Sequence, residues 1–563
     1  MKYLFLASTL ILAGCSSAQP DPTDILQTPQ GPVQGLVSPD NAAIASYQGL
    51  PFAAPPVGDL RWAPPAPAPT WTEVRAADTF GTRCMQAENT EGGFFDRLID
   101  GHGLSAIKSF AIKRVVAAMD PPPVSEDCLY LNVRAPRDAD NAPVMVWIHG
   151  GGHQFGSSDF DYYQSDALPE RGVVLVTINY RLGAFGYMAH PALSAADPRG
   201  VSGNYGTLDQ IAALEWVKDN IAAYGGNPDQ VTIFGESAGA WSVTELMSSP
   251  LANGLFHGSI LQSGASTYHL GQLDSDGVGW PSGHATGEIV TDALGLDSPS
   301  AADLRDLPAA EIQAVITEEM ADGFHHIRDG VVFPLNVGRA FQTGQINSVP
   351  MIAGYNSDEG TLFFPTDPQP SVWLENMEPG SRDELVAKLS EPYPTQAATI
   401  VDLYDLDDDF TDGGTQMMGD EIFGVNIRMA ARATAETGAP SWTYFFSRVP
   451  PSDEQTVGAF HAAEIPFVFG SHEKVLGVSE SDAALTDMMV GYWANFARSG
   501  NPNGAGLPDW PEQTGDNWMH FSANTDRPTA EVETGLRANK LDSLSEGLAI
   551  KLDALAAAEG LTE

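Results

Sequence analysis

Positive charge is scarce in this sequence. The 563 residues include 28 Lys and Arg against 73 Asp and Glu, which gives a formal net charge of −45 at pH 7. A field of that sign repels the phosphates of nucleic acids and the headgroups of anionic lipids. Nucleic-acid binding is therefore excluded, and the acidic residues are interpreted as a solvated surface.

Long apolar runs are also missing. After the N-terminal segment no stretch contains the roughly 18 uncharged apolar residues that a membrane-spanning helix needs. Residues 1–19 (MKYLFLASTLILAGCSSAQ) carry a positive charge at Lys2 followed by a short apolar run, and this pattern predicts a lipoprotein-type signal peptide over residues 1–15. The run ends in Leu-Ala-Gly-Cys at 12–15, which resembles the bacterial lipobox. That resemblance implies cleavage after residue 14 and lipidation of Cys15.

These features predict an exported protein, either a lipoprotein anchored in the outer membrane or a periplasmic or secreted one. Ser16, and not Asp, follows the lipobox cysteine, which by resemblance favours the outer membrane. Residues 16–30 are rich in Pro, Ser, Asp and Gln and are predicted to form a flexible tether. The lipid anchor is the only membrane contact expected, and the sequence leaves the oligomeric state open.

Cysteine is rare, with three residues in the whole chain. Cys15 belongs to the leader, so two cysteines remain in an exported protein. An even number in an oxidising compartment favours one disulfide, Cys84–Cys128. The alternative is a pair of free buried thiols.

Internal repeats and long low-complexity linkers are absent between residues 31 and 530, which indicates one domain over that range. Short runs rich in Val and Ile alternate there with helical patterns, and this alternation predicts an α/β fold with a mainly parallel sheet covered on both faces. Residues 531–563, rich in Ala, Leu and Glu, are predicted to form a C-terminal helical extension. Strands are predicted at 143–148, 172–179, 231–234, 259–262, 350–354 and 441–448, and helices at 206–224 and 238–247.

A Gly-x-Ser-x-Gly motif at 235–239 places Ser237 between a predicted strand and a predicted helix. This strand–turn–helix context is that of a nucleophile elbow. A strained turn holds the serine hydroxyl outward at a helix N-terminus, where the dipole favours developing negative charge. Ser237 is therefore the candidate nucleophile.

A His-Gly-Gly-Gly run at 149–152 follows directly on the predicted strand 143–148. Glycines let backbone N–H groups face a substrate without side chains in the way, as in the oxyanion loops of lipases and esterases. The predicted oxyanion donors are the amides of Gly151, Gly152 and Ala238. A phosphate loop is excluded because no Lys-Ser or Lys-Thr follows the glycines.

The chain order Ser, acid, His is expected on such a fold. Asp358 and Glu359 both follow the predicted strand 350–354, and either could be the acid from the sequence alone. The base is expected after the strand at 441–448, where the candidates are His461, His472 and His520.

Motifs spread from about residue 31 to about residue 528 make the chain resemble the type-B carboxylesterases. They are YQGLPFA, PPVGDLRW, EDCLYLNV, NYRLGAFGY, GNYGTLDQ, FGESAGA, LFHGSILQSG, GYNSDEG, HAAEIPFVFG and WANFARSGNPN. The resemblance implies an α/β-hydrolase fold with helical insertions around a gorge. It also implies hydrolysis of small-molecule carboxylic esters through an acyl-enzyme.

The resemblance also assigns roles to residues. The family takes its acid from the Asp-Glu-Gly element, which implies Glu359, and its base from the histidine that opens HAAEIPFVFG, which implies His461. Glu236 and Ser263 are implied to orient that histidine and tune its charge. Pairing of the first two mature cysteines in the family agrees with Cys84–Cys128.

One departure from the family concerns the loop between the two cysteines. Residues 85–127 contain no tryptophan, whereas cholinesterases carry a choline-binding tryptophan there. Cholinesterase activity is therefore rejected. The loop also holds an amphipathic segment at 104–119 with Lys108, Lys113 and Arg114, interpreted either as a lid over the gorge or as an ordinary surface helix.

The sequence thus predicts a serine carboxylesterase that needs no metal or organic cofactor. An alternative is the same mechanism acting on amides, carbamates or lactones. A non-catalytic binding protein on this scaffold is disfavoured because Ser237, Glu359 and His461 are all present.

Overall fold

The computed structural model describes residues 21–87, 94–117, 121–269, 271–277, 279–319, 323–363, 380–474, 478–523 and 529–558. The predicted leader and Cys15 lie outside these ranges.

A large twisted sheet organises the chain. Sixteen strands are present in the described residues: β1 Leu26–Thr28, β2 Gly31–Gln34, β3 Leu36–Val37, β4 Ile44–Pro51, β5 Arg75–Ala76, β6 Arg83–Cys84, β7 Val124–Ser125, β8 Tyr130–Pro136, β9 Ala142–Ile148, β10 Val174–Ile178, β11 Gly226–Glu236, β12 Gly258–Gln262, β13 Met351–Asn356, β14 Ser441–Phe446, β15 Asn517–Phe521 and β16 Ala530–Thr534. Eleven of them form one sheet in the order β16-β15-β14-β13-β12-β11-β9-β10-β8-β4-β3.

The centre of this sheet is parallel and its margins are antiparallel. Strands β10, β9, β11, β12, β13, β14 and β15 pair in parallel in that order. Antiparallel pairing joins β8 to β10, β4 to β8, β3 to β4 and β16 to β15. Parallel neighbours bring their carboxyl ends to one edge, which is where ligands bind in open α/β sheets.

Helices cover the sheet. The α-helices of the described residues are α1 Phe94–Gly101, α2 Ala106–Ala117, α3 Ala167–Glu170, α4 Gly183–Tyr187, α5 Pro191–Ala196, α6 Tyr205–Asn220, α7 Ala238–Ser248, α8 Gly283–Ala293, α9 Ala301–Arg305, α10 Ala309–Glu319, α11 Val337–Gln342, α12 Arg382–Leu389, α13 Ala397–Leu403, α14 Phe410–Gly419, α15 Val425–Glu436, α16 Ile465–Val468, α17 Asp482–Ser499 and α18 Ala538–Ala558. A π-helix at Asp420–Gly424 joins α14 to α15.

Both faces of the sheet are buried, as the unbroken apolar strands require. Along β9, Val144 and Val146 join a core on one face. Met145 and Trp147 join a second core on the other face. Alternate side chains of one strand thus enter two hydrophobic layers, the packing expected for a doubly covered parallel sheet.

The α/β fold class is confirmed, and each predicted strand is present. The run predicted at 231–234 is longer than expected and spans β11. The helix predicted at 206–224 is α6 followed by a short 3-10 turn at Ile221–Tyr224. The helix predicted after Ser237 is α7.

The chain ends differ from the predicted boundaries. A flexible tether was expected over 16–30, yet its described part, 21–30, is integrated into the fold: Thr23 is buried and its N–H donates to the Gly35 carbonyl at 2.9 Å. The Trp216 indole donates to Gln30 Oε1 at 2.7 Å. At the other end, the boundary at 530/531 falls inside β16, because that strand completes the sheet edge before α18 begins.

Cys84 and Cys128 form a disulfide, with sulfurs 2.04 Å apart. The loop it closes carries α1 and α2. In helix α2, Lys113 Nζ lies 2.6 Å from Asp100 Oδ2, and Ile107 and Phe110 are exposed to solvent. These two apolar residues therefore do not pack against a core, whereas the apolar residues of an ordinary surface helix do.

None of the helices in the described part of the chain is long and apolar enough to cross a bilayer.

Candidate active site

The nucleophile elbow lies at the carboxyl end of β11. Ser237 has φ 55° and ψ −124°, a strained conformation for a residue with a side chain, and α7 begins at the next residue. A Cβ on Gly239 would lie 2.0 Å from the Ile148 carbonyl oxygen, and one on Gly235 would lie 2.4 Å from the Gly239 carbonyl carbon. Both glycines of the motif are thus required by close backbone approach.

The glycine loop after β9 approaches this elbow. Gly151 and Gly152 have φ values of 107° and 61°, and a Cβ on Gly151 would lie 2.1 Å from the Phe155 carbonyl oxygen. A Cβ on Gly150 would meet the Glu236 carbonyl oxygen at 2.7 Å. The loop and Ser237 line the same cavity. The position of the loop suits the amides of Gly151 and Gly152 to donate hydrogen bonds to a negatively charged oxygen beside the N-terminus of α7.

The structure brings Glu359 and His461 together and separates the other candidates from them. Glu359 Oε2 lies 2.6 Å from His461 Nδ1, and Glu359 Oε1 accepts the Asn356 N–H at 2.6 Å. Asp358 turns away and accepts the Ala459 N–H at 2.8 Å. Glu359 and His461 are both buried, so their hydrogen bond is shielded from water.

The other two candidate histidines have different surroundings. His520 Nδ1 bonds Glu533 at 2.6 Å, across the pairing of β15 with β16. His472 belongs to a 3-10 turn and stacks on Phe467, with ring centroids 6.3 Å apart. Neither histidine is among the residues that line the cavity around Ser237.

Glu236 adds a second carboxyl to the histidine. Its Oε1 lies 3.1 Å from His461 Nε2. Burial raises the pKa of Glu236 to about 8, although His461 opposes the rise. Burial alone would lower the pKa of His461, but Glu236 and then Glu359 outweigh it and raise that pKa to about 9. The imidazolium form of His461 is thus stabilised from both sides.

A third buried glutamate, Glu464, supports this pair and was not predicted from the sequence. Glu464 Oε1 accepts from Gln262 Nε2 at 3.0 Å, and Glu464 Oε2 accepts from Asn356 Nδ2 at 2.7 Å. Because Asn356 also binds Glu359 through its backbone, Glu464 braces the strand end that presents the acid. Its place one helical turn after His461 was the available signal.

Ser263 directly follows β12 and has a left-handed conformation, with φ 49°. Its N–H donates to the Gly354 carbonyl at 2.8 Å. The hydroxyl is buried and makes no hydrogen bond to the residues that the structure describes. Among the described residues Ser263 thus makes no side-chain hydrogen bond that could orient His461 as expected.

A largely apolar cavity of about 550 Å³ opens over Ser237 and His461. Aromatic rings dominate its walls, and its polar lining includes Arg97, His102 and Arg448. Helix α1 contributes Phe94, Phe95, Arg97 and Leu98 to the lining, while none of the α2 side chains that the structure describes takes part. The cysteine-loop insertion therefore borders the cavity through α1. The cations Lys108, Lys113 and Arg114 of α2, considered as part of a lid, are not wall residues.

One group of side chains in the described ranges has metal-ligand composition: His520, Glu531 and Glu533. His520 Nδ1 already bonds Glu533, and its Nε2 lies 2.6 Å from Ser447 Oγ. Both ring nitrogens are thus engaged within the protein, and the group is separate from the cavity lining.

The chain is similar to known proteins over most of its length. The model of the Carboxylesterase family matches residues 22–544. Fumonisin B1 esterase of Sphingopyxis macrogoltabida is 34% identical over 507 residues, which cover 87% of this chain and 85% of that protein. Carboxylesterase 1C of Mus musculus is 35% identical over 518 residues, 87% of each chain.

Solved structures give the same result. The carboxylesterase EST55 of Geobacillus stearothermophilus is 31% identical, has a TM-score of 0.75, and covers 93% of this chain and 100% of its own. A PNB esterase is 29% identical, has a TM-score of 0.74, and covers 92% of this chain and 99% of its own.

Proposed function

Because the chain belongs to the carboxylesterase family, it is a carboxylic ester hydrolase, and we propose that Ser237, Glu359 and His461 form its catalytic triad. The observation that carries this assignment is the buried hydrogen bond of 2.6 Å between Glu359 and His461, together with the position of His461 in the lining of the cavity that Ser237 also lines. The amides of Gly151, Gly152 and Ala238 are proposed as the oxyanion donors.

In this mechanism His461 Nε2 accepts the proton of Ser237 Oγ while the oxygen attacks the ester carbonyl carbon. The three amides stabilise the negative oxygen of the tetrahedral intermediate. His461 then gives its proton to the departing alkoxide, which leaves as the alcohol. Water attacks the acyl-enzyme by the same route and releases the acid and free Ser237. Glu359 holds the imidazole with its proton on Nδ1 and stabilises the imidazolium.

The cavity supports esters with bulky apolar groups as substrates. A volume of about 550 Å³ lies in the range of pockets that enclose drug-sized ligands, and its walls are mainly aromatic. Burial of each additional methylene in such a pocket contributes about 0.8 kcal/mol. We therefore expect kcat/KM to rise with acyl length until the cavity is filled.

A series of p-nitrophenyl esters from acetate to laurate measures this. Rising kcat/KM followed by a plateau or decline would give the size of the acyl site, whereas a steady fall from acetate onward would contradict a large acyl pocket. Fumonisin B1 belongs in the same panel because one relative is named for it. Amide, carbamate and lactone analogues in the panel test the alternative reaction classes.

Glu236→Gln is expected to shift the pH dependence of hydrolysis. Glu236 is the first of the carboxylates that raise the pKa of His461, so its removal lowers that pKa. The base must be neutral to accept the serine proton. The rise of kcat/KM with pH should therefore move to lower pH in this variant than in the wild type.

The exposed Glu215→Gln substitution is the control for loss of one charge on this acidic chain, and its profile should match the wild type. If the Glu236→Gln profile also coincided with the wild type, Glu236 would have no electrostatic influence on the base.

The localisation of the protein is also a proposal. Cys15 follows the lipobox-like residues, and Thr23, eight positions later in the sequence, is buried in the fold. We propose a lipid anchor on Cys15 that holds the catalytic domain close to the outer membrane. Labelling of growing cells with an alkyne fatty acid, with Cys15→Ala as the control, tests the anchor.

A further inference from the structure

We infer that His153 is a positioning residue that locks the glycine loop to the first turn of α7 and thereby fixes the oxyanion donors relative to one another. This inference rests on the proposed oxyanion hole and names a side chain that controls its geometry. The donors come from two segments far apart in sequence, Gly151 and Gly152 in the loop and Ala238 at the helix start. A contact between these two segments is needed to keep the three amides at fixed distances from one another.

The side chain of His153 makes that connection. His153 follows Gly152 directly in the chain, has φ 60°, and is fully buried. Its Nε2 lies 3.0 Å from the Ala238 carbonyl oxygen and 3.0 Å from Ser242 Oγ, one turn further along α7. One imidazole thus links the residue after two proposed donors to the residue that supplies the third.

The chemistry of the partners fixes the state of the ring. A carbonyl oxygen can only accept, so Nε2 must carry the proton. The Ser242 hydroxyl itself donates to the Ala238 carbonyl at 3.0 Å and accepts from Gln210 Nε2 at 2.8 Å, which leaves it in no need of a bare ring nitrogen. His153 Nδ1 is buried and has no hydrogen-bond partner in the described structure.

The surrounding residues keep the His153 ring neutral and fix its orientation. Burial lowers its pKa to about 4, with Glu245 opposing and His325 and His326 reinforcing the shift. Its ring stacks on Tyr187, with centroids 4.7 Å apart and planes 12° apart. Trp241, which lines the cavity, packs edge-on at 5.8 Å. The ring is therefore held in one orientation, with Nε2–H directed at α7.

Other contacts hold the loop from a different side. The Tyr180 hydroxyl donates to the His149 carbonyl at 2.8 Å, and the Gly183 N–H donates to the His153 carbonyl at 2.7 Å. These bonds tie the loop to the segment after β10 and not to α7. Loss of the imidazole should therefore leave the loop folded but free to shift against Ala238. A displacement of about 1 Å at reacting groups can reduce rate by about 100-fold.

The experiment compares His153→Phe, which keeps an aromatic ring without a donor, with His153→Gln, whose amide nitrogen reaches the place of Nε2. Tyr187→Phe is the matched control, because it removes a hydroxyl from the ring stacked on His153 and leaves the bond to Ala238. The measurements are kcat and KM for p-nitrophenyl butyrate, the inhibition constant of a trifluoromethyl ketone that forms a serine-bound oxyanion, and the melting temperature.

His153→Phe is expected to lower kcat by about 10- to 100-fold with KM nearly unchanged. The inhibition constant of the ketone should rise by the same factor, since it reports oxyanion binding. His153→Gln should recover most of both, and Tyr187→Phe should equal the wild type. Equal losses in the Phe and Gln variants, or an unchanged kcat in His153→Phe, would overturn the inference and leave His153 a packing residue.

If His153→Phe does not fold, His153→Asn replaces it, because the shorter amide cannot reach the Ala238 carbonyl. Retained activity in Gln but not in Asn supports the inference, and equal activities overturn it. Labelling of wild-type Ser237 with a fluorophosphonate tests the proposed nucleophile separately. That label and turnover by the wild type can both be present while the His153 inference fails.

Discussion

Ser237→Ala is expected to lower kcat for p-nitrophenyl esters by about 10⁴- to 10⁶-fold while leaving the fold intact. No other nucleophile is available at the elbow, so hydrolysis would have to proceed by direct attack of water. The residual rate comes from the glycine loop and from binding in the cavity, which the substitution does not touch. Pre-steady-state measurements with excess ester should show no burst of p-nitrophenol, because no acyl-enzyme can form.

Ser248→Ala is the matched control. It removes a buried serine hydroxyl from the other end of α7, where Ser248 Oγ donates to the Thr244 carbonyl at 2.8 Å. That variant should keep the wild-type kcat and label fully with a fluorophosphonate, whereas Ser237→Ala should not label. Substantial turnover by Ser237→Ala would remove the proposed mechanism and direct attention to another nucleophile.

The sequence predicted best what local backbone geometry determines. The elbow around Ser237 and the loop around Gly151 are recognisable because a Cβ on Gly150, Gly151, Gly235 or Gly239 would lie 2.0 to 2.7 Å from a backbone atom, and because Gly152 has a positive φ of 61°. The parallel strands were predictable for a similar reason. Residues buried on both faces, such as those of β9, must be apolar without interruption, and that pattern is visible in the sequence.

Long-range choices were much less predictable. Asp358 and Glu359 are adjacent acids in the same element, and only the path of the chain after β13 directs one to His461 and the other to the Ala459 N–H. Family resemblance indicated Glu359, but composition and spacing did not distinguish the two. The bracing role of Glu464 was also not predicted, because its partners Gln262 and Asn356 lie far away in the sequence, on strands β12 and β13.

The walls of the cavity could not be predicted from amphipathic patterns. The cations at 104–119 made that segment a candidate lid, yet the preceding helix, α1, supplies wall residues of the cavity. Lys113 is engaged by Asp100, and its neighbour Phe110 faces solvent. A helix that borders a cavity carries apolar residues for a pocket and not for a core, and the sequence pattern of the two is the same.

Glu359→Gln should lower kcat by about 10³- to 10⁴-fold, the loss typical when the acid of a triad becomes an amide. Glu359 Oε2 accepts a proton from His461 Nδ1 at 2.6 Å, which leaves Nε2 bare to receive the serine proton. An amide nitrogen placed there would donate to Nδ1 and force the ring proton onto Nε2. The histidine would then be unable to act as a base toward Ser237, even though every atom of the site kept its position.

Asp358→Asn makes the same chemical change one residue earlier and separates the two acids. Asp358 accepts hydrogen bonds from the Ala459 N–H and the Ser357 hydroxyl. This substitution should therefore lower the melting temperature and have only a small effect on kcat. Stopped-flow measurement of acylation for both variants decides between them. A collapse of acylation in Asp358→Asn with normal rates in Glu359→Gln would reverse the assignment, because only the carboxylate that fixes the tautomer of His461 controls proton transfer from Ser237.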